Sequence, residues 1–281
     1  MRDSFLDIEY WRRLAPHFSI GKKVKVAPFP LREEQEKALD GRMVKEGYVH
    51  LAQPGFRASF EKLAALFDLL ASEGLPPVFS FVFDELWNLN RQLSHFIATL
   101  LQGDYAMLPN FWAWRVLPGE SGWKPHRDKI SGCLFPDRRP KSITVWIPIT
   151  EAHPLNGCMY ALPADRDEEY ALENSTRGVG EWSDIRALPA KAGDLLAWTQ
   201  HLYHWGGHAA DDHSLPPRMS VAFEYQRKDV RPFKTPLLDP EGSWSLEERL
   251  SLIAKQVLQY QHMYKLSPRL EELTRAIGKR A

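Results

Sequence analysis

The residues best suited to chemistry in this chain are histidines and one aspartate. Ten histidines occur among 281 residues, and four of them, His201, His204, His208 and His213, fall within thirteen positions. Another, His126, stands in Trp123-Lys124-Pro125-His126-Arg127-Asp128. In extended chain a His-x-Asp pair places both side chains on one side, because strand side chains alternate with period two. One imidazole and one carboxylate can then share a metal, and the third ligand must come from elsewhere. His204, which follows the apolar run Asp194–Thr199, is the best-placed candidate. Two imidazoles and one carboxylate on one face of an octahedral metal leave three adjacent positions open, a mixed N and O ligand set that suits non-haem Fe(II). Fourteen residues after His204 comes Arg218, with Ser220 two further on. A guanidinium fork and a neighbouring hydroxyl facing inward from one strand form a natural clamp for a carboxylate.

Each piece has a plainer interpretation. His126 and Asp128 fit a surface turn, and the 201–213 histidines fit a polar loop after a strand. His201, His204 and His208 could hold a structural zinc, although no fourth ligand is obvious. Arg218 alone fits a surface ion pair. The order of the pieces favours a shared site: His-x-Asp, a β hairpin with an Asn156-Gly157 turn, a Gly193-Asp194 strand entry, His204, then Arg218-x-Ser220.

The elements that must position these residues change period along the chain. Leu31–Glu46 is a polar helix with i,i+4 opposite charges, stopped by Gly47, and Tyr48–Leu51 is a short strand. Phe56–Ala71 is amphipathic, with Phe60, Leu63, Leu66, Phe67 and Leu70 on one face. Asp84 caps a third helix running to about Leu101. From about residue 108 the pattern becomes short aromatic or β-branched strands at 110–117, 142–150, 158–162, 194–199 and 218–226, separated by Gly/Pro/Asn/Asp turns. The tail, Ser245 to about Met263, returns to helical spacing. It either covers the barrel or forms a homodimer with another subunit. The expectation is one domain over 1–281: helical support over 1–105, a β core with the metal site over 106–230, and a helical cover over 231–281.

Composition sets outer limits. Thirty-six basic residues balance 36 acidic ones, so nothing electrostatic points to nucleic acid or an anionic membrane. Two cysteines cannot build a disulfide framework. No apolar stretch is long enough to span a membrane, and Met1–Arg13 lacks the apolar core of a signal peptide. The expectation is a cytoplasmic protein acting on a small molecule. Ten tryptophans are the compositional oddity. Trp112, Trp114, Trp123, Trp146, Trp198 and Trp205 lie near the proposed ligands, whereas Trp11, Trp87, Trp182 and Trp244 are expected to be packing residues.

The ordered set resembles the phytanoyl-CoA dioxygenase family of Fe(II)/2-oxoglutarate oxygenases over about residues 110–226. The likeness rests on Pro125-His126-Arg127-Asp128, the run Val145–Glu151, Asn156-Gly157-Cys158-Met159 through Leu162-Pro163, the run Ala192–Trp198, Leu202-Tyr203-His204 and Arg218-Met219-Ser220. It implies a mainly β fold, a double-stranded β-helix (cupin-like jelly roll) with flanking helices. By the same resemblance His126, Asp128 and His204 hold iron, and Arg218 with Ser220 binds the distal carboxylate of 2-oxoglutarate. Arg115, Trp146 and Thr144 are further candidates beside the co-substrate. The implied reaction consumes dioxygen and 2-oxoglutarate and hydroxylates a small molecule. A zinc-bound or non-catalytic cupin-like binding protein and a purely structural interaction protein are the alternatives. Two departures stand out. Ala164-Asp165-Arg166 follows the Leu-Pro turn where the family usually has Gly-Ser-His, so the family's substrate contacts do not transfer. Arg127 replaces the usual Gln, and it either meets an anionic substrate or points outward.

Overall fold

Alternation along the strands gives each sheet two unlike faces. In the computed structural model, which describes residues 5–22, 25–175, 180–263 and 266–278, the strands are β1 (Tyr48–Leu51), β2 (Tyr105–Val116), β3 (Ser142–Pro148), β4 (Met159–Leu162), β5 (Arg186–Leu188), β6 (Leu195–Thr199), β7 (Tyr203–Gly206) and β8 (Arg218–Arg227). They form a five-stranded antiparallel sheet, order β1-β6-β3-β8-β2, and a three-stranded one, order β5-β4-β7. On the larger sheet Ile143, Val145 and Ile147 of β3 and Met219, Val221, Phe223 and Tyr225 of β8 enter one core with the helices. The alternate residues turn the other way. Trp146, Leu196 and Trp198 join a smaller core with Met159, Ala161 and Leu188 of the second sheet. This two-sheet β core with flanking helices is the jelly roll that the strand pattern implies.

The helices are α1 (Ile8–Leu14), α2 (Glu33–Glu46), α3 (Phe60–Ser72), α4 (Asp84–Arg91), α5 (Ser94–Leu101), α6 (Leu246–Gln259) and α7 (Pro268–Gly278). Gly47 ends α2 in the left-handed conformation at φ 76°, as a C-terminal glycine should. Helix α3 starts four residues later than its hydrophobic pattern, because Ser59 caps it by accepting the Lys62 N–H. The long helix expected over 84–101 is two helices. Gln92 breaks it: its carbonyl accepts the Phe29 N–H, and its side-chain oxygen accepts the Arg57 N–H at 2.6 Å. Asp84 is the first residue of α4 rather than its cap. The turn Pro77–Val82 is wholly buried beneath these helices, and each large side chain buried there contributes roughly 1.5–3 kcal/mol.

The tail helix α6 covers the barrel. Leu250, Ile253, Ala254 and Val257 are buried within this chain, against the 77–82 turn, β2 and α7. Its N-terminus is closed by a capping box between Ser245 and Glu248. Among the described residues no helix is long and apolar enough to cross a membrane. Trp11 and Trp87 are buried and Trp244 packs on the core. Trp182 is 79% exposed, contrary to the packing role expected of it. It sits in a short turn, Trp182–Asp184, of which no residue is buried.

Candidate metal centre

His126 and His204 come from distant parts of the chain but are locked face to face by backbone. His126 N–H donates to the His204 carbonyl at 3.0 Å, and His204 N–H donates back at 2.9 Å. In such a two-bond antiparallel pair, opposite side chains project to the same side. Asp128 follows two residues later, and Lys129 N–H closes the segment on the Gln200 carbonyl at 2.8 Å. One ligand-capable atom from each of His126, Asp128 and His204 lies within 4.8 Å of the others, the only such trio among the described residues.

Each donor is oriented by a partner that leaves one atom available. His126 Nδ1 lies 2.7 Å from the Lys124 carbonyl, and His204 Nδ1 lies 3.0 Å from the Leu202 carbonyl. A carbonyl only accepts, so both Nδ1 atoms carry the proton and both Nε2 atoms offer a lone pair. Asp128 Oδ2 accepts from Thr144 Oγ1 at 2.7 Å and Trp198 Nε1 at 3.0 Å. Its Oδ1 is left 3.3 Å from His126 Nε2 and 3.8 Å from His204 Nε2.

Charge states fit the same use. Burial drives His204 down to about 4, against the pull of Asp128, so its ring is neutral at neutral pH. Burial raises the Asp128 carboxyl, but the two histidines and the Thr144 hydroxyl more than offset this and hold it well below the ordinary range. Burial lowers His126 too, and its contact with Asp128 outweighs that and raises it. A neutral His204 and an ionised Asp128 are two of the states that a divalent cation with mixed N and O preference requires, and the raised His126 is the ligand that must give up a proton to bind it.

The trio opens into a cavity of about 280 Å³. Five of the six tryptophans expected near the ligands line it: Trp112, Trp114, Trp123, Trp146 and Trp198. The sixth, Trp205, stacks on Tyr160 at 5.7 Å instead. Arg218 also lines the cavity. It is 2% exposed, its Nη1 donates to Ser220 Oγ at 3.0 Å, and its guanidinium stands 5.9 Å from the Trp146 ring centre. Trp146 is thus placed beside Arg218. Thr144 also lines the cavity, and its hydroxyl donates to the Asp128 carboxylate.

Arg115 does not reach the cavity. Trp112 and Trp114 face inward from β2, so Arg115 points to the opposite side, where its Nε donates to Asp68 of α3 at 2.9 Å. Arg127 neither meets the cavity nor points outward. It is buried in an ion pair with Asp167 at 2.8 Å and donates to the His201 carbonyl. The zinc alternative through His201, His204 and His208 does not assemble: among the described residues these three do not bring ligand atoms within 4.8 Å of one another, and His201 Nδ1 and His208 Nδ1 meet the Lys129 carbonyl and Ser121 Oγ in separate places. Sequence reasoning missed the cavity residues Asn110, Glu224, Gln259 and Tyr260. The inward parity shared by Arg218, Ser220 and Ala222 would have found Glu224.

Two glycines allow the close approach behind this wall. A Cβ on Gly206 would stand 2.9 Å from Gly122 Cα, and one on Gly122 would stand 2.7 Å from Gly206 Cα and 3.0 Å from Arg218 Nη2. Gly122→Ala is therefore expected to cost about 1–3 kcal/mol by overpacking, read as a fall in the urea midpoint. An unchanged midpoint would show that the two backbones can separate freely.

Comparison with known proteins agrees with this geometry. Residues 88–214 match the family model described as phytanoyl-CoA dioxygenase (PhyH). No curated protein sequence gives a significant match. Among solved structures, the chain is similar to the non-heme alpha ketoglutarate dependent carbocyclase SnoK from nogalamycin biosynthesis, with 18% identity, TM-score 0.54, and coverage of 76% of this chain and 100% of that one. It is also similar to the epimerase SnoN in complex with Fe3+, alpha ketoglutarate and nogalamycin RO, at 17% identity and TM-score 0.53, over 76% and 96% of the two chains. HygX from Streptomyces hygroscopicus, with nickel and 2-oxoglutarate bound, aligns at 13% identity and TM-score 0.52 over 75% and 97%. Residues 88–214, somewhat under half of the chain, thus resemble the phytanoyl-CoA dioxygenase (PhyH) family, and the chain shares the fold of these solved structures.

Proposed function

We propose that this protein is an Fe(II)- and 2-oxoglutarate-dependent dioxygenase that hydroxylates an unactivated C–H bond of a small molecule, releasing succinate and CO2. The observation that carries this reading is the convergence of His126 Nε2, His204 Nε2 and Asp128 Oδ1 in one cavity with Arg218. These three atoms would hold the iron. Arg218, steadied by Ser220, would bind the far carboxylate of 2-oxoglutarate as a charge-assisted fork. When bound, iron with 2-oxoglutarate and dioxygen supplies the oxidant that removes a hydrogen atom from carbon. The chain's own residues supply geometry and dryness. Thr144 and Trp198 keep Asp128 to one free oxygen, the Lys124 and Leu202 carbonyls fix both imidazole tautomers, and the tryptophan wall keeps water from the reacting carbon.

The test is anaerobic reconstitution with Fe(II) and 2-oxoglutarate. A weak visible charge-transfer band, followed by succinate when oxygen is admitted, is the expected result. Folded, iron-loaded protein that gives neither would overturn the assignment. Arg218→Leu is expected to raise the 2-oxoglutarate concentration needed for half-maximal band intensity by at least about tenfold, with iron binding retained. An unchanged requirement would remove Arg218 from the co-substrate site.

A further inference from the structure

The inner face of β8 presents Arg218, Ser220, Ala222 and Glu224 in alternation, which puts Glu224 roughly 20 Å along the strand from Arg218. The sheet register sets Glu224 opposite Thr144, the residue that holds Asp128. Glu224 therefore faces the cavity near the metal ligands, on the side away from the carboxylate clamp. Its Oε2 accepts from Asn110 Nδ2 at 3.0 Å and from Gln200 Nε2 at 2.7 Å, while among the described residues its Oε1 accepts no hydrogen bond. Asn110 is fixed in turn by Lys234, whose Nζ donates to Asn110 Oδ1 at 2.6 Å. Beside them Lys129 lines the same cavity. Its Nζ is 3.9 Å from Glu224 Oε2, beyond hydrogen-bond reach, and 5.3 Å from the Phe233 ring centre; among the described residues it donates no hydrogen bond. A carboxylate oxygen and an ammonium thus stand side by side in the cavity with hydrogen-bonding capacity unspent.

The rest of the cavity is aromatic. Trp112, Trp114, Trp123 and Tyr260 form a ring of edge-to-face neighbours, with centroids 6.1 Å (Trp112–Trp114), 6.0 Å (Trp114–Trp123), 5.4 Å (Trp123–Tyr260) and 4.6 Å (Tyr260–Trp112) apart.

We propose that the substrate is a small zwitterion of the amino-acid class, with its carboxylate on Lys129, its ammonium on Glu224 and its carbon skeleton against the aromatic wall. This rests on the oxygenase reading above. An anion alone would draw Lys129 from its 3.9 Å ion pair and leave the Glu224 carboxylate unpaired, and a cation alone would do the same to Lys129. An apolar molecule would strip water from a loose ion pair whose 3.9 Å separation makes no hydrogen bond, and leave the ammonium and the Glu224 Oε1 without hydrogen-bond partners. A molecule carrying both charges satisfies both groups at once. Size points the same way. About 280 Å³ lies at or below the low end of ordinary ligand sites and must hold 2-oxoglutarate as well.

The test uses the whole protein loaded anaerobically with Fe(II) and 2-oxoglutarate. The proteinogenic amino acids and a set of β- and cyclic amino acids are titrated while the visible band is followed. At least one free amino acid is expected to shift the band, and its N-acetyl and methyl-ester forms to bind at least about tenfold more weakly. Glu224→Gln is expected to weaken the free amino acid about 10- to 100-fold while leaving the N-acetyl form unchanged; Lys129→Met should do the same with respect to the ester. The band given by each variant before amino acid is added reports that its iron and 2-oxoglutarate site is intact. If the band forms but no amino acid perturbs it, or the capped forms bind equally well, the zwitterion is wrong and the oxygenase stands. If no band forms in folded, iron-loaded protein, both fall.

Discussion

Asp128→Ala is expected to leave no iron bound after dialysis and no succinate above background, with the fold retained. The carboxylate supplies the only negative charge among the three candidate ligands, and its removal leaves two neutral imidazoles that cannot by themselves complete a facial set. The loss is not confined to one bond. Thr144 Oγ1 and Trp198 Nε1 both donate to Asp128 Oδ2, so the truncation strands two buried donors at about 1–3 kcal/mol each. A modest fall in melting temperature should therefore accompany the loss of metal, and binding must be measured well below the new midpoint. Thr144→Val separates the two effects. It keeps the ligand and removes one of its two supports, so iron affinity should fall only about 10- to 100-fold. Full turnover by Asp128→Ala would refute the metal assignment.

What was legible in the sequence follows from how far apart the interacting residues lie. His126 and Asp128 are two residues apart, so local alternation alone puts them on one side. Arg218 and Ser220 are paired by the same rule, and the ordered motifs linked His204 to them. Parity also exposes the error at Arg115. Trp112 and Trp114 stand two apart on β2 and share one face, so Arg115 must face the other way, toward Asp68 of α3, as it does. Other features depend on contacts that no local pattern encodes. The break at Gln92 is made by Phe29 and Arg57. Strand β7, which carries His204, is only four residues long and is defined by pairing with β4. Tyr260 and Gln259 reach the cavity from the end of α6, more than 130 residues along the chain from Asp128. Helical periodicity left that helix as either a cover or a dimer surface, and could not say that its C-terminal end lines the cavity.

The second large effect concerns how that cover is anchored. Asp84→Ala is expected to cost about 3–5 kcal/mol at neutral pH, because it leaves a buried charge on Arg249 without its partner. Both side chains are essentially inaccessible, at 2% and 1%, and the Arg249 Nη2 to Asp84 Oδ1 distance is 2.5 Å. Asp84 also accepts the backbone N–H groups of Gly21 and Lys22, while Arg249 Nη1 donates to the Val82 carbonyl. One ion pair thus joins α4, the 77–82 turn, the segment after α1 and the first turn of α6. Burial raises the Asp84 carboxyl, but the hydrogen bonds from Arg249 and Lys22 outweigh it, and the net shift is downward. A carboxyl whose folded value is depressed stabilises the protein fully above its unfolded value of about 3.9 and loses that contribution as pH falls through the lower folded value. The gap between wild type and Asp84→Ala in urea melts should therefore be constant from pH 8 to pH 5 and narrow below about pH 4. A gap that is absent at pH 7, or that widens in acid, would contradict this. Asp84→Leu combined with Arg249→Met should recover much of the loss, since removing both charges abolishes the desolvation cost along with the attraction. That recovery is informative about the site as well, because α6 carries Gln259 and Tyr260 into the cavity. If the pair serves only to hold the helix, the double variant should regain stability and, with Tyr260 back in place, the iron and 2-oxoglutarate band.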